Sequence, residues 1–450
     1  MKITGVAIRN RLNKGFLANS FGFSVNLFAQ ILTVSILILY WGVGLYGEWL
    51  IVSAIPSYLS FANFGLGDAM ATKMSMHVVN NQKKKALRLF QSSWRIVTFV
   101  SVVAALSLII VVMLTPFGSV FNIRQINEFD LSIVVTLFAI YIILGLQSSL
   151  LMGAYRCEGN YPEHAFITNS IKLLESIIGL TFVVLGGGVV GLACIYVSIR
   201  VLGLVYLLLY LKNKSPWITI SGGMFDISVV RKIIKPSLAS ISFSFGNVLI
   251  NQGVVLIIGM FLGPIFVAMF SVYRTLSRVA LKAIGIFNNI FLPEMTAACA
   301  SNGKRTLRVL NRNLLRMSFQ LLSIALFFLA LFGEDIIYYW TLGKIEYDST
   351  LFFFILLETL TYLLWYAGNV SITAMNKHAR IVFWYLISNA ASLVVMWFLL
   401  PIMGVVSAPI SLAIGNMFVG LFAIGQSIKF TEDTMSRYVK SLFRSSFKKN

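Results

Sequence analysis

Hydrophobic and polar positions in this chain alternate in blocks and not residue by residue. Apolar runs of about 20 residues, enough for a helix to cross a bilayer core of ~30 Å, recur along its whole length. Twelve such runs cover residues 16–40, 46–67, 94–115, 131–153, 164–186, 189–211, 236–260, 265–291, 314–333, 351–374, 380–400 and 404–428. The pattern predicts an all-α polytopic membrane protein with 12 transmembrane helices. Two stretches, 80–94 and 302–316, have the polar and apolar faces of amphipathic helices lying at a membrane surface. The first run, Gly15 to Tyr40, is too long for a signal-peptide core and has no small-residue cleavage site, so it reads as a retained span.

Composition agrees with the pattern. Of 450 residues, 58% are hydrophobic and 12% charged, with a mean hydropathy of +0.85, which excludes an ordinary soluble protein. The connections are short, and no soluble domain is left over. A net charge of +20 would suggest nucleic acid in a soluble chain, but its distribution gives another meaning. Lys and Arg residues in the connections fall on one side in twenty-nine cases, and only Arg124 and Lys344 fall on the other. Short basic loops stay cytoplasmic, so both termini are expected inside and no nucleic-acid partner is implied. The basic loops can also attract anionic membrane lipids. The longest outer connections, Pro116 to Asp130 and Gly333 to Thr350, are mildly acidic and leave no room for a large extracytoplasmic domain.

The chain repeats internally. A shift of 220 residues sets Lys84-Lys85-Ala86-Leu87-Arg88 on Lys304-Arg305-Thr306-Leu307-Arg308, Gly65 on Gly285, Ala154 on Ala374 and Thr168-Asn169 on Ser388-Asn389. Closing a gap of four then sets Gly188-Val189-Val190 on Gly404-Val405-Val406. Six spans per half give both halves one orientation, the parallel repeat of an alternating-access transporter. The expected organisation is an N-terminal six-helix bundle over 1–211, a cytoplasmic linker over 212–235, a C-terminal six-helix bundle over 236–428 and a basic cytoplasmic tail over 429–450.

Candidate chemistry lies in charges inside the spans. Arg274, Arg278 and Lys282, spaced by four, share one face of the eighth span. A cation at the bilayer centre costs roughly 2.5–3.5 kcal/mol, so the three must face water, protein or an anion. They can capture a phosphate-bearing head group, for which the forked guanidinium is suited. Alternatively they pair with the intramembrane carboxylates Glu175 and Glu358, and Lys282 snorkels to the surface. Their repeat mates Ala54, Tyr58 and Ala62 are uncharged, so the fold of a half does not require them. Arg200, mid-way along the sixth span, joins the same argument. Lys172 and Glu175, three apart on one helix, can neutralise each other. Glu175, Glu358 or Asp68 can instead couple transport to an ion, since desolvation raises a buried carboxylate's pKa. Ser240, Ser244, Asn247 and Asn251 on the seventh span, and Asn19, Asn26, Gln30 and Thr33 on the first, form polar stripes that can bond sugar hydroxyls or neighbouring helices. Gly65, Gly67 and Gly285 suit close helix packing. Cys157, Cys194, Cys299, His77, His164 and His378 have no metal-ligand spacing. No metal site, cofactor or catalytic constellation is expected.

Several of these segments resemble a known family. Asn19 onward, Gly44-Leu45-Tyr46-Gly47-Glu48-Trp49, Asn63-Phe64-Gly65-Leu66-Gly67-Asp68 and Leu262-Gly263-Pro264 leading to Tyr273-Arg274-Thr275-Leu276 are similar to the O-antigen and polysaccharide flippases of the multidrug/oligosaccharidyl-lipid/polysaccharide exporter superfamily. The resemblance implies a MATE-like pair of six-helix bundles. It implies translocation of an undecaprenyl-pyrophosphate-linked oligosaccharide across the bacterial inner membrane, with no cofactor. A cationic lumen in that family matches Arg200, Arg274, Arg278 and Lys282 by chemistry and span. The implied partners are the lipid-linked substrate, membrane lipids, a polysaccharide polymerase and a chain-length regulator. Two other functions compete. A cation-coupled multidrug antiporter of the same fold would want carboxylates in the cavity to bind cationic drugs, and the cations on the eighth span argue against it; a polysaccharide polymerase or ligase would want a sizeable basic outer loop.

Overall fold

The computed structural model describes residues 5–63, 66–222, 225–301, 303–377 and 379–442. The described chain is helical throughout, with no strand. Ten helices are long and apolar enough to cross a membrane, and two of these, Asn13–Ala62 with 50 residues and Arg380–Thr431 with 52, are about twice the needed length. Each of the two is broken near its middle. Helix α1 (Gly5–Ser57) turns at Gly42, whose φ of 80° and ψ of 168° suit a residue without a β-carbon. Helices α12 (Ala379–Met403) and α13 (Ser407–Thr431) are separated by a 3₁₀ turn at Gly404–Val406, entered at Gly404 with φ 60°. With both breaks counted, the ten supply twelve crossing lengths, and the chain is a multi-pass membrane protein.

The two stretches expected to lie on the membrane surface do something else. Residues 83–94 are the first turns of α3 (Lys83–Leu114), and 304–316 those of α10 (Lys304–Thr341). Neither stretch contains a Gly or Pro to end a helix before the apolar run begins, so each continues into it. Their apolar faces meet protein. Ala86, Leu89 and Phe90 are fully buried together with Leu66, Met70 and Met74 of α2 (Leu66–Val79), a helix absent from the sequence-based layout. The same core includes Leu150, Leu151 and Tyr155 of α5 (Glu128–Cys157).

Two compact units divide the chain, Met1–Ser244 and Phe245–Asn450, with the boundary inside α8 (Ile227–Leu262). In the first, α1 packs along α6 (Tyr161–Val184), and α5 packs along α7 (Val189–Lys214). In the second, α9 (Pro264–Ala300) packs on α10 and α11 (Ser349–Ala374), and α11 packs on α13.

The repeat is visible in how each unit closes its ends. The fourth span of each half opens on a side-chain cap: Asn127 Oδ1 accepts the Asp130 N–H at 2.7 Å, and Asp348 Oδ1 accepts the Leu351 N–H at 2.9 Å. The loop before each cap, which in the first unit begins with the short helix α4 (Phe117–Val120), is tied to the second span. In the first unit, Glu48 accepts backbone N–H groups of Arg124, Gln125 and Ile126 at 2.7 to 3.1 Å. In the second, Tyr273 donates to the Glu346 carbonyl at 3.0 Å and accepts the Asp348 N–H at 2.8 Å. At the opposite ends, the segment after each sixth span straps onto the start of the third. Gln91 donates to the Thr219 carbonyl at 2.9 Å, and the Asp226 N–H donates to Ser92 Oγ at 3.0 Å. Correspondingly, Asp433 pairs with Arg312, Glu432 pairs with Lys304, and α14 (Met435–Leu442) packs on α10 with Tyr438 buried.

Candidate functional site

The in-span charges form two clusters, one in each unit. In the first, α6 turns Glu175 inward, where it is 5% exposed. Arg200 on α7 meets it twice, Nε to Oε1 at 2.8 Å and Nη2 to Oε2 at 2.8 Å. Tyr141 on α5 donates to Glu175 Oε2 at 3.0 Å, accepts from Arg200 Nη2 and lies with its ring centre 4.3 Å from the guanidinium. Tyr141 bonds Glu175 Oε2 and Arg200 Nη2, while the buried Glu175 Oε1 and Arg200 Nε meet by charge and close approach without a hydrogen bond. Lys172 and Glu175 share a helix but form no salt bridge among the described residues. The Lys172 ammonium donates to Asn26 Oδ1 on α1 at 3.3 Å, and the residue is exposed. Residues three apart on a helix can meet; the neighbouring helices, α7 for Glu175 and α1 for Lys172, draw the two side chains apart.

In the second unit, Arg278 on α9 donates to Asn251 Oδ1 on α8 at 2.7 Å and has Nη2 3.9 Å from Glu358 Oε1 on α11. Asn416 on α13 donates to the same Glu358 oxygen at 3.0 Å, and Glu358 is 2% exposed. Arg274 donates to the Asn251 backbone carbonyl at 3.3 Å and packs its guanidinium 5.0 Å from the Phe270 ring centre. Its Nη1 is buried and makes no hydrogen bond among the described residues. Lys282, further along α9, is exposed. Asn247 Oδ1 accepts from Tyr385 on α12 at 2.9 Å, and Tyr385 stacks on Trp365 at 4.5 Å.

Thus Arg200 and Asn26 belong to one cluster, and Arg274, Arg278, Asn247 and Asn251 to the other. Glu358 lies near Arg278 of the Arg274, Arg278, Lys282 face, whereas Glu175 is held by Arg200, which lies outside it. The amides Asn26, Asn247 and Asn251 all bond neighbouring helices. Gln30 is half-buried on α1. The side chains of Asp68 and Ser240, and all of Gly65 and His378, lie outside the described residues. The three cysteines are free, and no group of metal-ligating side chains occurs among the described residues.

Tyr141, Tyr385 and Asn416 were not among the sequence candidates. For Asn416 the signal was present. With the four-residue gap closed, the repeat sets Arg200 on Asn416, and the two side chains do the same work on their sixth spans. Each holds a buried carboxylate, Arg200 by one charge-assisted hydrogen bond and a second close ion contact, Asn416 by one amide hydrogen bond. The second unit thereby binds its carboxylate more loosely and keeps a second arginine, Arg274, beside it.

No protein-family model and no curated protein matches this chain. Solved structures do. The chain is similar to a structure described as the inward-facing conformation of a multidrug resistance MATE family transporter of the MOP superfamily, with a TM-score of 0.68 and 14% identity over 93% of this chain and 98% of that one. A structure of such a transporter described as outward-facing matches with a TM-score of 0.62 and 15% identity over 94% of this chain and 95% of that one. A MOP superfamily transporter from Pyrococcus furiosus, described as having a binding pocket of reverse polarity that suggests a different function, matches with a TM-score of 0.62 and 12% identity over 97% of this chain and 96% of that one. At these identities the likeness is one of fold, and the fold is that of the MATE transporters.

Proposed function

We propose that this protein is a transporter, not an enzyme, that moves undecaprenyl-pyrophosphate-linked oligosaccharide repeat units of the O-antigen or polysaccharide type across the bacterial inner membrane by alternating access. The single observation that carries this reading is the charge on α9. Arg274 and Arg278 share one face with one carboxylate, Glu358, in reach of Arg278, while Arg274 keeps a buried Nη1 without a hydrogen bond. Excess positive charge at membrane depth suits a pyrophosphate far better than a cationic drug. Two repeat-related units and the MATE fold supply the scaffold that alternating access requires. Asn247, Asn251, Asn26 and Gln30 would meet sugar hydroxyls when the cavity is wet, and Lys282 and Arg200 would extend the cationic path. A polysaccharide polymerase and a chain-length regulator would act on the delivered repeat units.

A second reading, cation-coupled multidrug antiport, is favoured by the fold neighbours described as multidrug transporters. It would use Glu175, Glu358 or Asp68 as the coupling carboxylate, and both described acids are held by arginine. Inverted membrane vesicles separate the two. Movement of a fluorescent lipid-linked repeat unit to the lumen should require the protein and fall at least tenfold in Arg278→Ala, with proton-driven efflux of cationic dyes absent. Dye efflux that needs Glu358, with no movement of the lipid-linked unit, would sink the flippase reading.

A further inference from the structure

Residues of α1, α6 and α7 in the first unit line a groove of about 610 Å³ that includes no member of the two charge clusters. The volume lies within the roughly 300–1,000 Å³ of ligand sites. Leu17, Phe21, Phe166 and Ile167 form apolar walls, and Tyr206 and Tyr210 complete them. Phe21 stacks on Phe166 at 5.0 Å. Tyr210 stacks at 6.0 Å on Tyr155, whose hydroxyl donates to the Leu207 carbonyl at 2.8 Å. The rings are thus held in place by packing. Leu17, Phe166 and Tyr206 are exposed, so the apolar walls run out onto the surface of the unit. Lys14 at the start of the apolar stretch Asn13–Ala62, and the two tyrosines near the end of α7, are residue types that mark the edge of a membrane-crossing segment.

Two charged residues line this groove, and their signs are opposite. Glu163, in the first turn of α6, is half-buried, and its Oε2 is sealed from solvent without a hydrogen bond among the described residues. The helix N-terminus favours the charged form of a carboxylate placed there. A buried carboxylate oxygen with no donor is costly, and the broad, two-fold terminal torsion of Glu lets either oxygen turn to a donor in the groove. Lys14 is exposed, and no ion pair joins it to Glu163 among the described residues. Lys214 stands 5.9 Å from the Tyr210 ring centre but does not line the groove, so the lining keeps one charge of each sign.

We propose that this groove is a site for a zwitterionic membrane lipid, phosphatidylethanolamine, with its ammonium on Glu163, its phosphate on Lys14 and its chains along Leu17, Phe21 and Phe166. The site is separate from that of the transported substrate and does not depend on what the substrate is. Charge selects the occupant. A cationic amphiphile would meet Lys14, and an anionic one would meet Glu163, whereas a zwitterion answers both by charge-assisted hydrogen bonds. The unbonded carboxylate oxygen narrows the choice further. A primary ammonium has three N–H donors to offer it, as a lysine does, while the quaternary nitrogen of phosphatidylcholine has none. A lipid bound here joins the start of α1 to the start of α6 and the end of α7, and by binding the folded unit it stabilises it.

The test is native mass spectrometry of the full chain, delipidated in detergent and titrated with phosphatidylethanolamine, phosphatidylcholine and phosphatidylglycerol of identical acyl chains. Phosphatidylethanolamine should bind at least fivefold more tightly than either of the others. Glu163→Gln should abolish its advantage over phosphatidylcholine, and Lys14→Gln should weaken it at least threefold. Leu17→Trp, which fills the groove from an exposed position, should block the preferred binding while leaving thermal unfolding of the lipid-free protein unchanged. A phosphatidylethanolamine with a diazirine in one acyl chain should label the peptides containing Leu17 to Phe21 and Phe166 to Ile167. Equal binding of the three lipids is the result expected if Lys14 and Glu163 merely swing together and close an empty groove, and it would overturn the proposal. A preference that survives Glu163→Gln, or binding and labelling indifferent to Leu17→Trp, would overturn it as well.

Discussion

Arg200 Nε stands 2.8 Å from Glu175 Oε1, and both side chains are nearly sealed from solvent, at 12% and 7% exposure. The pair ties α6 to α7, and Tyr141 extends it to α5.

Glu175→Gln should cost about 3–5 kcal/mol, because it leaves Arg200 charged and uncompensated in the interior. The double replacement Glu175→Leu, Arg200→Met should recover most of that loss. Thermal unfolding of the singles and the double in detergent reads the coupling, and strict additivity would show that the two do not act as a pair.

The second cluster should respond less. Glu358 is held by one 3.0 Å amide bond from Asn416 and a 3.9 Å approach of Arg278, so Glu358→Gln should cost about 1–3 kcal/mol. The same change leaves Arg278 with one fewer anionic neighbour. Binding of inorganic pyrophosphate or a lipid pyrophosphate to the purified protein should therefore tighten, as read by titration calorimetry.

Glu48 is 2% exposed and gathers three backbone N–H groups of the Arg124 to Ile126 loop. Glu48→Ala strands those donors, with an expected loss of at least about 2 kcal/mol. Hydrogen exchange should accelerate first in the peptide covering Phe121 to Asn127. Unchanged exchange there would mean that the loop is held by its apolar contacts instead.

The strap of α14 on α10 should be sensitive to acid. Burial alone would raise the Asp433 carboxyl, but the Arg312 hydrogen bond, the Thr434 N–H and the charges of Arg312 and Arg308 outweigh it and hold the group below its ordinary value. The hydrogen bond and charge of Lys304 do the same for Glu432. A carboxyl depressed in the folded state contributes fully above its unfolded value, ~3.9 for Asp, and loses the contribution as pH falls through the folded value. The strap should thus hold at neutral pH and release in acid, while Asp433→Asn should be loose at every pH. Hydrogen exchange across α14, corrected for the intrinsic pH dependence and followed from pH 7 downward, gives the readout.

Much of the fold was legible along the chain because the bilayer requirement is local. A run of about 20 apolar residues states its own fate, and its continuity is a property of neighbours in sequence. Gly42 and Gly404 could be anticipated as breaks near positions 41–45 and 401–403, since apolar runs longer than a bilayer must turn. The amphipathic stretches 80–94 and 302–316 were misjudged because amphipathicity reveals that one face is covered, not what covers it. Here the cover is protein, in the first unit the buried residues of α2 and α5.

The partners of charged groups were not legible, for a different reason. Lys172 lies three residues from Glu175, yet the carboxylate is neutralised by Arg200 on the next helix. Arg278 likewise finds Glu358 across a helix interface. The sequence by itself determined which segments enter the membrane, that two halves repeat, and that a few cations and acids travel with them. Only the tertiary structure decided which acid meets which cation and which cation is left over. That choice depends on the rotation of each helix about its axis, which is set by side-chain packing against helices distant in the chain.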